Sequence, residues 1–150
     1  MGRAGAVGAL SAMYLVVACV GGAVAVDDDL PAAFLGIRTG LPPLRDWLYG
    51  MGTALSPPFV AMLVQAALIA ALFRHDVWHE RAVRGLTLLA AVEFLGMLGE
   101  PITYRVLPPA PGEGLHAALV VVFLALPLSV VVLGGRRWRA LSRRATPRCG

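Results

Sequence analysis

Four apolar runs divide this chain, and arginines gather at alternate ends of them. Residues 4–26 carry no charge, residues 59–73 none, residues 85–99 only Glu93, and residues 115–133 none. A hydrocarbon core about 30 Å thick takes roughly 20 apolar helical residues to cross. The first and last runs meet that length alone, and the middle two meet it with their flanks. The predicted fold is all-α: a polytopic membrane protein of four transmembrane helices in an antiparallel bundle. Composition agrees, with 58% hydrophobic and 15% charged residues, against about 25% charged in ordinary soluble domains.

All thirteen basic residues are arginine. Beside so many Ala, Gly and Val, this reads as the codon bias of a GC-rich bacterial genome. The sequence pI of 9.8 does not point to nucleic acid, because the charge sits at helix ends and not along one face. Arg3, then Arg74, Arg81 and Arg84, then Arg136, Arg137, Arg139, Arg143, Arg144 and Arg148 fall in the N-terminus, second turn and tail, whereas the first and third loops hold only Arg38, Arg45 and Arg105. Arginine near span ends is retained in the cytoplasm. The expected topology is therefore a multi-pass protein of the cell membrane with both termini cytoplasmic. Residues 1–134 form one membrane domain and residues 135–150 a basic, poorly ordered cytoplasmic tail.

The first run has a competing identity. Arg3, an apolar stretch and Ala23-Val24-Ala25 before Asp27-Asp28-Asp29 resemble a signal peptide with its cleavage site. Leu15-Val16-Val17-Ala18-Cys19 resembles the bacterial lipobox, which would lipidate Cys19. The run exceeds the ~7 to 15 apolar residues of a signal peptide, so an uncleaved span is expected. Ala4, Gly8 and Ala12 recur every fourth residue, as do Ala18 and Gly22, a small-residue pattern that lets helices approach closely. Cys19 and Cys149 fall too far apart in the expected topology to pair, and the chain has no CxxC motif.

Between the first two runs, Pro42-Pro43 precedes Leu44, Trp47, Leu48, Met51 and Leu55, spaced as one face of a helix, with Arg45, Asp46 and Tyr49 off it. This predicts a short outer interfacial helix, packed on the bundle or lying in the headgroup layer. Ser56 before Pro57 and Pro58 predicts the cap of the second span. The short turn over residues 74–84 makes the second and third spans a hairpin. The cluster Pro108, Pro109 and Pro111 marks the outer turn into the fourth. Pro127 predicts a kink there, with Ser129 bonding a freed carbonyl.

Glu93 is the strongest chemical signal. It lies nine residues beyond Arg84, roughly 13.5 Å into the membrane at 1.5 Å per residue. An ionised carboxylate at that depth costs at least ~2.5 kcal/mol, so it is protonated, paired or in a wet cavity. In a purely structural role a protonated Glu93 would bond to Gln65, the only strongly polar residue in the core of the second run, or to a backbone carbonyl. Glu93, Gly96, Glu100 and Tyr104 share one face if the helix continues past Pro101. Glu100 is then about 10 Å above Glu93, at an outer mouth with Arg105 and His116 as candidate ion-pair partners. Ligand binding or proton handling by Glu93, Gln65, Glu100, Tyr104, Arg105 and His116 follows as the functional expectation. No catalytic residues are assigned.

His75-Asp76-Val77-Trp78-His79 spaces two histidines as in the HExxH zinc motif. Asp replaces the motif's Glu and a third ligand is missing, so no metal and no cofactor is expected. Nucleotide-binding glycine motifs and the GxSxG nucleophile motif are absent. The expected function is that of a small integral membrane protein with a polar pocket around Glu93, binding or moving a small solute, lipid or proton. Its expected partners are the lipid bilayer and a second copy or another membrane protein. The alternatives are an accessory or assembly subunit of a larger membrane complex and, less favoured, an embedded enzyme acting on a lipid or quinone.

Overall fold

The computed structural model describes residues 3–74, 77–107 and 112–145, with side chains described from residue 5 to residue 139 within those ranges. All regular elements among them are helical: α1 (Arg3–Asp27), α2 (Pro43–Tyr49), α3 (Phe59–Ala71), α4 (Val77–Gly99), α5 (Pro101–Arg105) and α6 (Gly114–Ala145), with a single 3-10 turn at Phe34–Gly36. Three helices are long and apolar enough to cross a membrane: Gly5–Asp27, Val77–Gly99 and Gly114–Arg139. The fourth apolar run gives a helix of only 13 residues, α3, about 20 Å long at 1.5 Å per residue. Its start is delayed because Pro57 and Pro58 hold the chain extended, and Pro58, not Ser56, occupies the cap position.

The buried faces follow helical periodicity. On α1 they are Val7, Ser11, Tyr14, Ala18 and Ala25; on α4, Ala82, Val83, Leu86, Thr87, Ala90, Glu93 and Met97. Helix α6 packs along both α1 and α4, and α3 packs on α4 and α1. The opposite faces are apolar and exposed, among them Met13, Val16, Val20, Leu63, Leu88, Val92, Leu95, Val121, Leu128 and Val132. Apolar side chains exposed around several helices suit a lipid environment and not water.

Close approach rests on small residues. A Cβ on Gly21 would meet the Leu55 carbonyl and the Phe123 ring, and one on Gly134 would meet the Thr87 hydroxyl. Where no hydrophobic force separates protein from lipid, such contacts and their dispersion energy hold helices together. Gly8 faces Leu72 and Gly22 faces Trp47. The glycines of the small-residue pattern therefore pack within the chain itself.

Two apolar clusters fill the interior. One joins Tyr14, Ala18, Ala25, Leu55, Met62, Met97, Ile102, Val106, Val120 and Phe123. The other joins Val7, Leu86, Ala90 and Val130, with Leu10, Leu68, Ile69 and Leu72 against it. Ser11 falls between the clusters on α1, Gln65 on α3 and Glu93 on α4, and all three are buried. A polar layer thus divides the core.

The structure corrects several expectations. Helix α2 ends at Tyr49, so Met51 and Leu55 lie beyond it; Leu55 is buried while Leu44 is half exposed. Asp46, expected on the polar side, is fully buried. It accepts hydrogen bonds from the Met51 N–H and the Thr39 hydroxyl, both at 2.8 Å, and so ties the loop to itself. Trp47 donates to Ser56 Oγ at 3.1 Å and packs edge-on against Phe59, which seats α2 on the start of α3. Helix α6 runs through Pro127 and on to Ala145, past the expected start of a poorly ordered tail at residue 135. Ser129 bonds the Ala125 carbonyl at 2.7 Å, not the Phe123 carbonyl that Pro127 leaves without its usual donor. The proline cluster at residues 108–111, His75, Asp76, Arg148 and Cys149 lie outside the described residues.

Candidate functional site

Helix α4 positions the site because its buried face repeats as Leu86, Ala90, Glu93, Met97. The glutamate occupies a position whose spacing otherwise selects an apolar side chain. Glu93 is 8% exposed, and its Oε1 has no hydrogen-bond partner. Gln65 does not supply this bond. Its Nε2 donates to the Ser11 carbonyl at 2.9 Å, linking α3 to α1, and its Oε1 is also unpartnered. An unmade bond of this kind costs about 1–3 kcal/mol, so the arrangement is not one selected for stability alone.

Glu93 lines a cavity of about 280 Å³ together with Leu89, Val92, Gly96 and Met97 from α4, Glu100 just beyond the end of that helix, Tyr14 from α1 and Phe123 from α6. The remaining wall comes from Phe34 and from the segment Met51 to Ala61. Tyr14 and Phe123 meet edge to face, with centroids 5.5 Å apart, and form an aromatic wall. The cavity exists because α3 begins late: Pro57, Pro58 and Ala61 face the final turns of α4 where a longer helix would fill the space. Gly96 matters for the same reason, since a Cβ there would meet nothing within 4 Å.

Glu100 lines both this cavity and a second one, of about 320 Å³, with Asp29, Arg38 and Arg105. It ends α4, because Pro101 begins a separate helix and the Glu100 backbone is extended. Its carboxylate accepts the Ala33 N–H, at 3.0 Å and 3.3 Å to its two oxygens. Burial pushes its pKa above the ordinary value; the Ala33 N–H opposes this and nearby Asp46 adds to it.

The other expected partners lie elsewhere. Arg105 faces Glu113 at 3.9 Å across an exposed contact, and His116 Nε2 lies 2.8 Å from Asp28 Oδ2. Neither pairs with Glu100. Tyr104, which required an unbroken helix to share the face of Glu93, is 67% exposed and donates to the Leu98 carbonyl. The structure therefore brings together Glu93 and Glu100, sets Gln65 in the adjacent polar layer, and leaves Tyr104, Arg105 and His116 outside the cavity around Glu93.

Tyr14, Thr53 and Phe123 also line the cavity, and the sequence did not single them out. Thr53 Oγ1 is buried without a hydrogen-bond partner. Tyr14 could have been found: it is the one aromatic residue within the first apolar run, and its phenol needs a partner in apolar surroundings. Among the described residues no group of His, Cys, Asp and Glu is arranged to hold a metal. His79, the described member of the zinc-like pair, has Nδ1 2.8 Å from the Leu72 carbonyl and closes the turn between α3 and α4. Comparisons with protein families, curated proteins and solved structures find no match.

Proposed function

We propose that this chain is a small membrane protein that binds an amphiphilic small molecule in the cavity around Glu93. The observation that carries this reading is a buried carboxyl oxygen with no partner, on a residue that lines a largely apolar cavity of about 280 Å³. Apolar walls with a few convergent polar groups are the usual build of a ligand site. The late start of α3 and the bare Cα of Gly96 both preserve space at a cost in packing, which favours a site over a core.

In this reading the chain crosses the membrane four times, α3 being the short crossing, with both termini cytoplasmic and the segment Asp28 to Pro58 on the outer side. That segment roofs the cavity on the outer side. Packing of α1 along α6 supports an uncleaved first segment, since removal would strip Tyr14 and Ala25 from the core. The assembly-subunit reading is less favoured, because the glycines that suggested a docking face pack inside the chain.

The test uses Gly96→Phe, which fills the cavity without meeting a neighbour at Cβ. Protein in lipid nanodiscs is titrated with 3-phenylpropan-1-ol and with 3-phenylpropan-1-amine, and empty nanodiscs serve as the blank. Saturable binding of either probe that Gly96→Phe abolishes supports the reading. Binding of neither by the wild type, or equal binding by the filled variant, refutes it.

A further inference from the structure

We infer that the ligand of the Glu93 cavity is a primary amine on an apolar, preferably aromatic, body. The inference rests on the cavity reading above and deepens it. Three features of the wall set the chemistry.

First, the charge is one-sided. Glu93 and Glu100 both line the cavity, and among the described residues no Arg, Lys or His does. An anion would meet two carboxyl groups and no counter-charge; like charges brought together with buried walls repel strongly.

Second, the unmet hydrogen-bonding atoms are oxygens able to accept. Glu93 Oε1 and Thr53 Oγ1 are both buried and unpartnered, and they come from different walls, α4 and the segment before α3. Glu100 already receives the Ala33 N–H and, as a carboxylate, retains further lone pairs. A primary ammonium carries three N–H donors and no acceptor, which complements such a wall. A hydroxyl has a single donor, and a quaternary ammonium has none.

Third, the body of the ligand meets apolar and aromatic surface. Tyr14 and Phe123 stand edge to face, Phe34 lies over Gly99, and Met51, Leu89, Val92 and Met97 complete the lining. A cation beside aromatic faces gains attraction from the ring quadrupoles, and the gain rises when water is excluded.

The experiment varies only the head group. Wild-type protein in nanodiscs is titrated at pH 7 with 3-phenylpropan-1-amine, its N,N,N-trimethyl derivative, 3-phenylpropan-1-ol and 3-phenylpropanoate, each against empty nanodiscs. The amine is expected to bind at least 10-fold more tightly than the alcohol and than the trimethyl compound, and 3-phenylpropanoate is expected not to bind. Glu93→Gln, which keeps the shape, is expected to weaken the amine at least 10-fold and to leave the alcohol within 3-fold. Alcohol binding as tight as amine, with both lost in Gly96→Phe, overturns the amine assignment and leaves the cavity reading intact. Trimethyl compound binding as tight as amine overturns hydrogen-bond donation in favour of charge alone. Saturable binding by no compound overturns the cavity reading itself. Should Glu93→Gln fail to fold, the wild-type head-group series decides the question unaided.

Discussion

Replacing Glu93 with leucine should make this protein more stable. Glu93 is buried, and its Oε1 has no partner. The folded state therefore carries a desolvated polar atom, at a cost of about 1–3 kcal/mol. Leucine has similar bulk, restores the apolar series Leu86, Ala90, Met97 on α4, and breaks no hydrogen bond through Oε1. We expect Glu93→Leu to stabilise by about 1–2 kcal/mol, the lower part of that range, because the unfolded chain in a membrane also finds partners for a carboxyl. Gln65→Leu is the internal control with the opposite sign. It removes the 2.9 Å bond from Nε2 to the Ser11 carbonyl, and intramembrane bonds of this kind average about 0.6 kcal/mol. The assay is reversible unfolding of wild type and both variants in mixed micelles titrated with dodecyl sulfate. Because about 1.4 kcal/mol is tenfold in the folding equilibrium, the expected shift is well resolved. A Glu93→Leu protein destabilised by about 1 kcal/mol or more would show that the carboxyl holds the fold together, and the functional reading would lose its support.

The raised pKa of Glu100, caused first by burial, means that the folded state keeps a proton the unfolded chain releases. Stability, complete below the ordinary carboxylate value of 4.5, should fall as pH rises through the raised value, and Glu100→Gln should flatten that dependence in a denaturation series from pH 4 to pH 9. Asp46→Ala removes the acceptor of the Met51 N–H and the Thr39 hydroxyl; we expect a loss of about 3 kcal/mol and, by limited proteolysis, new cleavage between residues 39 and 52. Reporters fused after Arg144 and near Arg81 should score cytoplasmic and one near Gly112 external; an external tail would end the proposal of four crossings.

The three long helices were legible because a membrane leaves one dominant constraint, uninterrupted apolar length, and residues 4–26, 85–99 and 115–133 all display it. Helix α3 was harder. Its apolar run begins beside Pro57 and Pro58, and hydropathy does not register that two prolines keep those residues extended and delay the first helical turn. Glu93 and Glu100 were found by spacing, since Glu93 lies on α4 and Glu100 directly follows its last residue, Gly99. Tyr104 was misplaced for the same reason: the count assumed a helix through Pro101, whereas the proline ended it. Asp46 was invisible because its partners, Thr39 and Met51, are set by the path of a loop and not by any period. The cavity itself draws on α1, α4, α6 and the segment Met51 to Ala61. No pattern along the chain reports where such distant residues leave space.

The polar layer and the cavity have a common origin in the unequal lengths of the helices. Helices α1, α4 and α6 run long enough to pack as two successive apolar clusters, and Ser11, Gln65 and Glu93 interrupt them at one level. On the Val7, Leu86, Val130 side of that level, α3 is present and contributes Leu68, Ile69 and Leu72, and the core closes. On the Tyr14, Met97, Phe123 side, α3 contributes only its first turn, with Ala61 and Met62, before the Pro57–Pro58 segment takes its place, and the loop through Trp47 and Met51 covers the space without filling it. A carboxyl placed at this boundary has packed hydrocarbon on one side and a cavity on the other. Such a boundary destabilises the fold, and sequences generally keep a destabilising buried polar group where it serves a site. The position of Glu93 at the edge of the closed core, more than its presence in an apolar run, is what supports the proposal that it centres a binding site.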